Sequence, residues 1–187
     1  MPTTDNKTNK INCLHLLDAV QNPDVKSFKL HKTVEESIVM LILNLADAIN
    51  KRGDIHCQRY GITIQQYLIL LHLAGDPNIE YIQENETSHP IVASELAEAL
   101  NVSRPNITNV LNLLIVKNLV EQVRVKGDWR KKSLMLTEEG WTLIAKMEPY
   151  RRRTNRCLLG HLSETDKSAF LHCVQKSLDL LVEKGKP

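Results

Sequence analysis

The stretch SELAEALNVSRPNITNVLNLLIVKNLV, residues 94–120, decides the fold of this chain. Its first part, Ser94 to Leu100, has the length and pattern of a short helix. Ser103 is a typical N-cap residue and begins a second helix, in whose first turn Pro105 is tolerated. Two short helices separated by so few residues indicate a helix-turn-helix.

A change of apolar period after Asn118 predicts two strands. Val123 and Val125 alternate with polar residues, as do Leu134 and Leu136, and a polar segment, residues 126–131, lies between these pairs. This pattern predicts a β-hairpin with a long polar tip. A hairpin after a helix-turn-helix gives the fold class, mainly α with an α+β wing: a winged helix-turn-helix.

The second helix of this motif has two contrasting faces. Its apolar stripe consists of Ile107, Val110, Leu111 and Leu114. Its opposite face consists of Pro105, Thr108, Asn109 and Asn112. There is no Asp or Glu from residue 101 to residue 120, whereas a merely solvated face usually mixes Glu with Lys. An acid-free face of amides and hydroxyls is suited to base edges in a major groove beside phosphates.

The charge of the chain is concentrated around this motif. The whole chain carries a net charge of +2, but residues 101–133 hold seven basic and two acidic residues, so the rest of the chain is net acidic. A local basic patch favours a nucleic-acid partner. The alternative is a hairpin tip that merely collects solvated Lys and Arg, and the acid-free helix before it argues against that interpretation.

Capping signals place the other helices. Thr33 with Glu36 and Thr63 with Gln66 are capping boxes, and Gly75 is suited to end the second of these helices. Thr137 and the pair Ser163 and Asp166 begin two later helices, and Pro149 is expected to kink or end the first of them. The helix after Thr33 carries more apolar surface than one small core covers, which predicts packing against a second chain. Its apolar residues are Ile38, Val39, Met40, Leu41, Ile42, Leu43, Leu45, Ala48 and Ile49.

The length and composition of the chain limit the classes of protein to which it can belong. The 187 residues suit about one domain, and 42% hydrophobic with 25% charged residues is typical of globular chains. No apolar stretch approaches the ~20 residues of a membrane span, and the N-terminus lacks the apolar region of a secretory signal. We therefore expect a cytoplasmic, nucleoid-associated protein without membrane contact, and reduced thiols at Cys13, Cys57, Cys157 and Cys173.

At this point the sequence resembles the MarR family of transcriptional regulators. The resemblance lies in residues 94–97, 101–103, 119–121 and 128–140, with the Asp-x-Arg wing signature of the family at Asp128 and Arg130, and more loosely in residues 62–67. It implies a homodimer on a palindromic operator of double-stranded DNA. It also implies an effector, a small aromatic acid for example, in a crevice between the dimer helices and the DNA-binding lobe.

The resemblance also implies roles for individual residues. It assigns Ser103, Arg104, Asn106, Thr108 and Asn109 to the major groove and its flanking phosphates, with Pro105 and Asn112 on the same face. It assigns Arg124, Lys126, Lys131 and Lys132 to phosphates, Arg130 to the minor groove and Asp128 to orienting Arg130.

The resulting domain division has three parts. We expect residues 1–32 to be a partly disordered N-terminal extension, residues 33–62 and 141–187 to form a helical dimerisation region, and residues 63–140 to form the winged helix. Within the winged helix, residues 76–91 hold Asp76 and three Glu but no Lys or Arg, which predicts an exposed acidic connection. We interpret the arginines of residues 151–156 as a solvated or inter-subunit face, with an anion or DNA contact as the alternative.

Three other functions compete with a sequence-specific, ligand-responsive repressor. An enzyme is disfavoured because no GxGxxG, Walker A, HExxH or GxSxG motif occurs. A winged helix used as a protein-interaction module predicts an apolar or mixed-charge face on the second helix. A redox- or metal-sensing regulator would use Cys residues, but no cofactor or metal site is expected, because Cys157 with His161 is an isolated pair. His56, His72 and His172 are expected to be satisfied packing residues.

Overall fold

The computed structural model describes residues 30–79, 91–100, 102–125 and 128–182, with the backbone alone at residues 125, 128–131 and 182. The chain divides into two compact units, Met1–Ala48 and Ile49–Pro187. Each unit is described by itself below.

The described part of the first unit is the beginning of helix α1, Val34–Gln58. The helix begins as predicted, because the backbone N–H of Glu36 donates to Oγ1 of Thr33 at 3.1 Å. Its apolar side chains are largely exposed: those of Val34, Ile38, Val39, Met40, Leu41, Ile42 and Leu43. The apolar surplus read from the sequence therefore remains on the surface of this chain.

The described residues of the second unit form the end of α1, five further helices and a two-stranded antiparallel sheet. The elements are α2 Ile64–Leu73, α3 Ala93–Ala99, α4 Arg104–Val116, β1 Val120–Val125, β2 Asp128–Leu136, α5 Glu138–Leu159 and α6 Glu164–Val182. Helix α2 lies at the centre, because it packs against α4, α5 and β2. The most deeply buried side chains are Ile69, Leu70, Leu96, Leu111, Leu114, Met147, Val120 and Cys57.

The predicted caps form in the structure. Thr63 and Gln66 make a reciprocal capping box, with hydrogen bonds of 3.2 and 3.1 Å between each side chain and the other residue's backbone N–H. Gly75 follows the end of α2 at a φ of +68°, a conformation that glycine adopts without a steric penalty. Oγ1 of Thr137 accepts from Gly140 N at 3.1 Å, and Oγ of Ser163 accepts from Asp166 N at 3.1 Å.

Helix α5 continues through Pro149 to Leu159, so the expectation that Pro149 could end the helix is wrong. Proline removes one backbone donor, but most helical stability in a folded protein comes from packing rather than from single hydrogen bonds. Met147 is fully buried on one side of the proline, and Arg151 is tied by ion pairs on the other. These contacts hold the helix across the missing bond.

The expectation of an exposed acidic connection is wrong at its first residue, Asp76, and residues 80–90 lie outside the described part of the chain. Asp76 is buried, with its Oδ2 lying 2.6 Å from Nη1 of Arg151 and its Oδ1 accepting from the backbone and side chain of Asn78. Burial opposes ionisation of this carboxyl, but the Asn78 hydrogen bonds and the Arg151 charge hold its pKa below the ordinary range.

The same ion pair corrects the interpretation of the arginine run. Arg151 is not a solvated side chain, because it also donates to the Glu148 carboxylate at 2.7 and 3.1 Å and is only partly exposed. The pairing joins the turn after α2 to the middle of α5. The sequence could not show it, because the partners lie 75 positions apart.

Candidate DNA interface

Helix α4 begins at the position that the sequence indicated. Ser103 is its N-cap, and its Oγ accepts a hydrogen bond from the backbone N–H of Asn106 at 3.4 Å. Pro105 falls in the first turn, where its missing N–H costs nothing. The cap and the proline together fix where the helix starts, and therefore which side chains lie on each face.

The two faces of α4 are those predicted. Ile107, Leu111 and Leu114 are almost fully buried, and Val110 is partly buried. The outward residues are all exposed: Ser103, Arg104, Pro105, Asn106, Thr108, Asn109 and Asn112. At about 100° per residue, Pro105, Asn109 and Asn112 lie along the middle of the outward face.

Two residues of this face have additional contacts. Oγ1 of Thr108 donates to the backbone carbonyl of Arg104 at 2.8 Å, so the hydroxyl hydrogen of Thr108 is used within the helix. Asn106 lies toward one edge of the face and lines a crevice beside α1 and α2. The amides of Asn109 and Asn112 have no hydrogen-bond partner among the described residues.

The hairpin places basic residues opposite each other. In the β1–β2 register Arg124 faces Lys132, and both side chains are exposed. Like charges directly opposite each other destabilise a strand pair unless an anion lies between them. Lys126 lies outside the described residues, as do the side chains of Asp128, Arg130 and Lys131, whose backbone belongs to β2. The roles assigned to these four residues stay predictions.

The hairpin is attached to the body of the winged helix at its base. The backbone N–H of Leu134 donates to the carbonyl of Ile91 at 2.8 Å, and that of Thr137 donates to the carbonyl of Leu119 at 3.2 Å. Oγ of Ser133 donates to the carbonyl of Val123 at 3.1 Å. The wing therefore starts from a fixed base beside α4.

A crevice of about 510 Å³ lies between the end of α1, the start of α2 and α4. Its lining is mostly apolar and amide, and Asp54 is its one charged residue among those described. Oδ1 of Asp54 accepts from the backbone N–H of Ile64 at 2.7 Å, which holds the carboxylate at the start of α2. The lining residues are Asn50, Asp54, Gln58, Thr63, Ile64, Gln65, Leu68, Ile69, Leu100, Val102, Asn106, Ile107 and Val110.

Sequence reasoning missed an aromatic cluster around His56. The imidazole stacks on Tyr150 with ring centroids 3.4 Å apart and meets Tyr60 edge-on at 5.3 Å. His56 is buried, and neither ring nitrogen has a hydrogen-bond partner in the described part of the chain, so the expectation of a satisfied histidine is wrong. Burial lowers its pKa below the ordinary 6.5, and the nearby Arg59 charge acts in the same direction.

The other two histidines predicted to be packing residues, His72 and His172, differ in their burial. Nδ1 of His72 lies 2.8 Å from the carbonyl oxygen of Leu68, as expected of a satisfied packing residue. His172 is exposed on α6, so the expectation of a satisfied packing residue is wrong for His172 within this chain. The spacing of His56 and Tyr60, one helical turn apart, was the one sequence signal for the aromatic cluster.

The thiols offer little support for redox or metal sensing. Cys57 is 1% exposed, and burial with the nearby Asp54 charge raises its pKa to about 11, so this thiol is not ionised at neutral pH. Cys157 and Cys173 are exposed. Across the described ranges, no three His, Cys, Asp or Glu residues come together as a metal-binding group.

Within the described residues, no helix combines the length and apolar character that crossing a bilayer requires.

Comparison with known proteins connects this geometry to a family. Residues 60–131 match the model of the MarR family. The HTH-type transcriptional repressor NicR of Pseudomonas putida is 30% identical over 90 residues, which is 48% of this chain and 57% of NicR. The transcriptional repressor MprA of Escherichia coli K12 is 31% identical over 98 residues, 52% of this chain and 56% of MprA. The chain thus spans little more than half the length of these curated relatives.

The fold of this chain is also similar to those of solved structures. The S. aureus MepR–DNA complex has a TM-score of 0.67 at 20% identity, covering 80% of this chain and 99% of MepR. A MarR protein from Peptoclostridium difficile has a TM-score of 0.69 at 19% identity, covering 84% and 95%. The predicted winged helix-turn-helix fold class is confirmed. Over residues 60–131, which hold most of its winged helix, this chain is similar to the MarR family.

Proposed function

We propose that this protein is a sequence-specific regulator of transcription, a repressor that binds a palindromic operator in double-stranded DNA as a homodimer. The observation that carries the proposal is the outward face of α4, which is exposed, free of carboxylates and, along Thr108, Asn109 and Asn112, polar but uncharged. The curated relatives NicR and MprA are named repressors, and the MepR structure is described as a DNA complex, which supports the same function.

In this proposal α4 enters the major groove. Its outward residues, together with Ser103, contact base edges and the flanking phosphates. The facing pair Arg124 and Lys132 contacts the backbone, where phosphates relieve the repulsion between the two cations. Arg130 reaches the minor groove with Asp128 orienting it, and Lys126 and Lys131 add phosphate contacts. The division into winged helix 63–140 and dimerisation helices 33–62 and 141–187 belongs to the same proposal.

The test selects bound fragments from the source genome and measures their affinity by fluorescence anisotropy. We expect a specific Kd of ~10⁻⁸ M or tighter, and the affinity should fall steeply as the salt concentration rises.

Arg130→Ala should cost about 1–3 kcal/mol of operator affinity. Lys146→Ala removes the same charge from an exposed position of α5 and serves as the control. Failure to recover any preferred fragment would reject the function, whereas equal losses in both variants would reject the wing assignment.

We further propose that the crevice beside α4 receives the effector. A ligand there would contact Asn106, Ile107 and Val110 of α4 as well as Asn50 and Asp54 of α1, so binding can shift the helix that carries the DNA face. With Asp54 as its one charged described residue, the lining favours a neutral or cationic aromatic ligand over the aromatic acid implied by the resemblance.

Release of operator DNA by matched aromatic ligands tests this effector site. We expect cationic or neutral compounds to release DNA at lower concentrations than an aromatic carboxylate of similar size. Asp54→Asn keeps an acceptor for the Ile64 N–H but removes the charge, and should reduce the preference for cations. A carboxylate that releases DNA most effectively from both proteins would contradict the assignment.

A further inference from the structure

The middle of the outward face of α4 carries side-chain amides. A helix that recognises guanine would carry Arg or Lys there. Asn109 and Asn112 lie one turn apart on the outward line, and both are exposed. Neither side-chain amide hydrogen-bonds to another residue in the described ranges, so each carries a donor and an acceptor available to a ligand. The only cation of α4, Arg104, stands at its first position and away from this line.

An amide of this kind distinguishes between purines. In the major groove adenine presents the N7 acceptor beside the N6 donor, which matches the donor and acceptor of an Asn side chain. Guanine presents two acceptors, N7 and O6, so the amide oxygen would face another acceptor. A free Asn on this line therefore selects adenine.

Thr108 also disfavours guanine and favours A·T pairs. Its hydroxyl hydrogen is donated to the Arg104 carbonyl at 2.8 Å, which leaves only acceptor lone pairs and the methyl group for DNA. An acceptor is repelled by the N7–O6 edge of guanine but suits the adenine N6 donor, and the methyl suits a thymine methyl. Pro105, exposed on the same line, offers a second apolar contact for thymine.

We infer that the part of each half-site read by α4 is made of A·T pairs, with Asn109 and Asn112 each pairing with one adenine. This inference rests on the proposed function. The two residues are separated by ~4.5 Å along the helix axis, which is comparable with the ~3.4 Å between successive bases of a strand. The two adenines therefore belong to neighbouring steps.

Modified purines test the inference on the operator recovered from the genome. 7-Deazaadenine removes only the N7 acceptor and keeps the base pair, and 7-deazaguanine does the same for guanine. We expect two adenine positions per half-site at which 7-deazaadenine weakens binding at least ~5-fold, the lower end of the range of a bidentate base contact. We expect no guanine in this part of the half-site, and 7-deazaguanine at the guanines that flank it should change affinity less than ~2-fold.

Variants assign each position to its residue. Asn109→Ala should abolish the sensitivity to 7-deazaadenine at one position and Asn112→Ala at the other, while Asn155→Ala, an exposed amide on α5, should leave both intact. Circular dichroism confirms that each variant is folded. A guanine in the part of the half-site read by α4 at which 7-deazaguanine weakens binding, no loss with 7-deazaadenine, or sensitivity that persists in both α4 variants overturns the inference while leaving the proposed function standing. Absence of any preferred DNA rejects the function itself.

Discussion

At the residue scale, His56 is the clearest case of a side chain whose state depends on folding. Its ring is buried between Tyr150 and Tyr60, and neither nitrogen is hydrogen-bonded among the described residues. A charged imidazolium in this position would lose its hydration without gaining an acceptor, and Arg59 lies close enough to oppose it. The neutral ring is therefore the form that the fold accepts.

This environment predicts acid sensitivity. Because the pKa of His56 is lower in the folded chain than the ordinary 6.5, the unfolded state binds more protons below that pH. The free energy of unfolding should therefore fall as the pH decreases below about 6.5. His56→Phe, which keeps an aromatic ring on Tyr150, should flatten this dependence, as measured by urea unfolding across a pH series.

His172→Gln is the matched control, because it removes an exposed histidine from α6. It should leave the pH dependence of the wild type unchanged. If His56→Phe and the wild type lose stability in parallel as the pH falls, His56 does not carry the effect.

At the element scale, the junction of the wing with α5 depends on a close approach at Gly140. A Cβ at this position would lie 2.3 Å from the carbonyl oxygen of Leu119 and 3.2 Å from Cδ2 of Leu136. The Leu119 carbonyl is backbone that already accepts the N–H of Thr137, so it cannot move away without loosening the base of the hairpin. The contact joins the residue before β1, strand β2 and the first turn of α5.

Gly140→Ala is expected to destabilise the protein, although alanine favours helices in general. The gain in helix propensity is at most ~1 kcal/mol, whereas overpacking typically costs about 1–3 kcal/mol. Denaturant unfolding measures the net change. Glu139→Ala, an exposed neighbour in the same turn, should change stability by less than ~0.5 kcal/mol. A Gly140→Ala variant as stable as the wild type would show that the junction adjusts freely.

At the scale of the whole molecule, the apolar surface of α1 predicts assembly. Leu41 is 66% exposed and Ile38 is 51% exposed in the first unit, and α6 of the second unit exposes Leu171 and Leu181. Apolar side chains in such number are costly in water, and a second copy of the chain can cover them. We propose that these helices form the homodimer.

Light scattering at micromolar concentration should give twice the chain mass of 21.3 kDa in the absence of DNA. Leu41→Glu places a charge within the apolar surface and should shift the mass toward the monomer. Thr142→Glu, which adds the same charge at an exposed position of α5, should not. A monomeric mass for the wild type would contradict the dimer, and with it the expectation of a palindromic operator.

Much of the fold could be predicted from the sequence because it depends on interactions between residues close together in the chain. Caps such as Thr63 with Gln66 involve residues three positions apart, and the two faces of α4 follow from helical periodicity alone. The exposure of Thr108, Asn109 and Asn112 was predicted for that reason. Their pairing with bases remains a proposal, because a face suited to a ligand does not by itself bind one.

The remaining features required distant parts of the chain to meet. The ion pair of Asp76 with Arg151, the stack of His56 on Tyr150 and the contact of Gly140 with Leu119 each join residues on different elements. No local pattern encodes these pairs. Sequence by itself determined where helices begin, which faces are apolar and where positive charge collects, because those properties depend on neighbours a few residues away. Only the tertiary structure decided which polar groups are buried and how they are satisfied, because burial is a property of the packed chain.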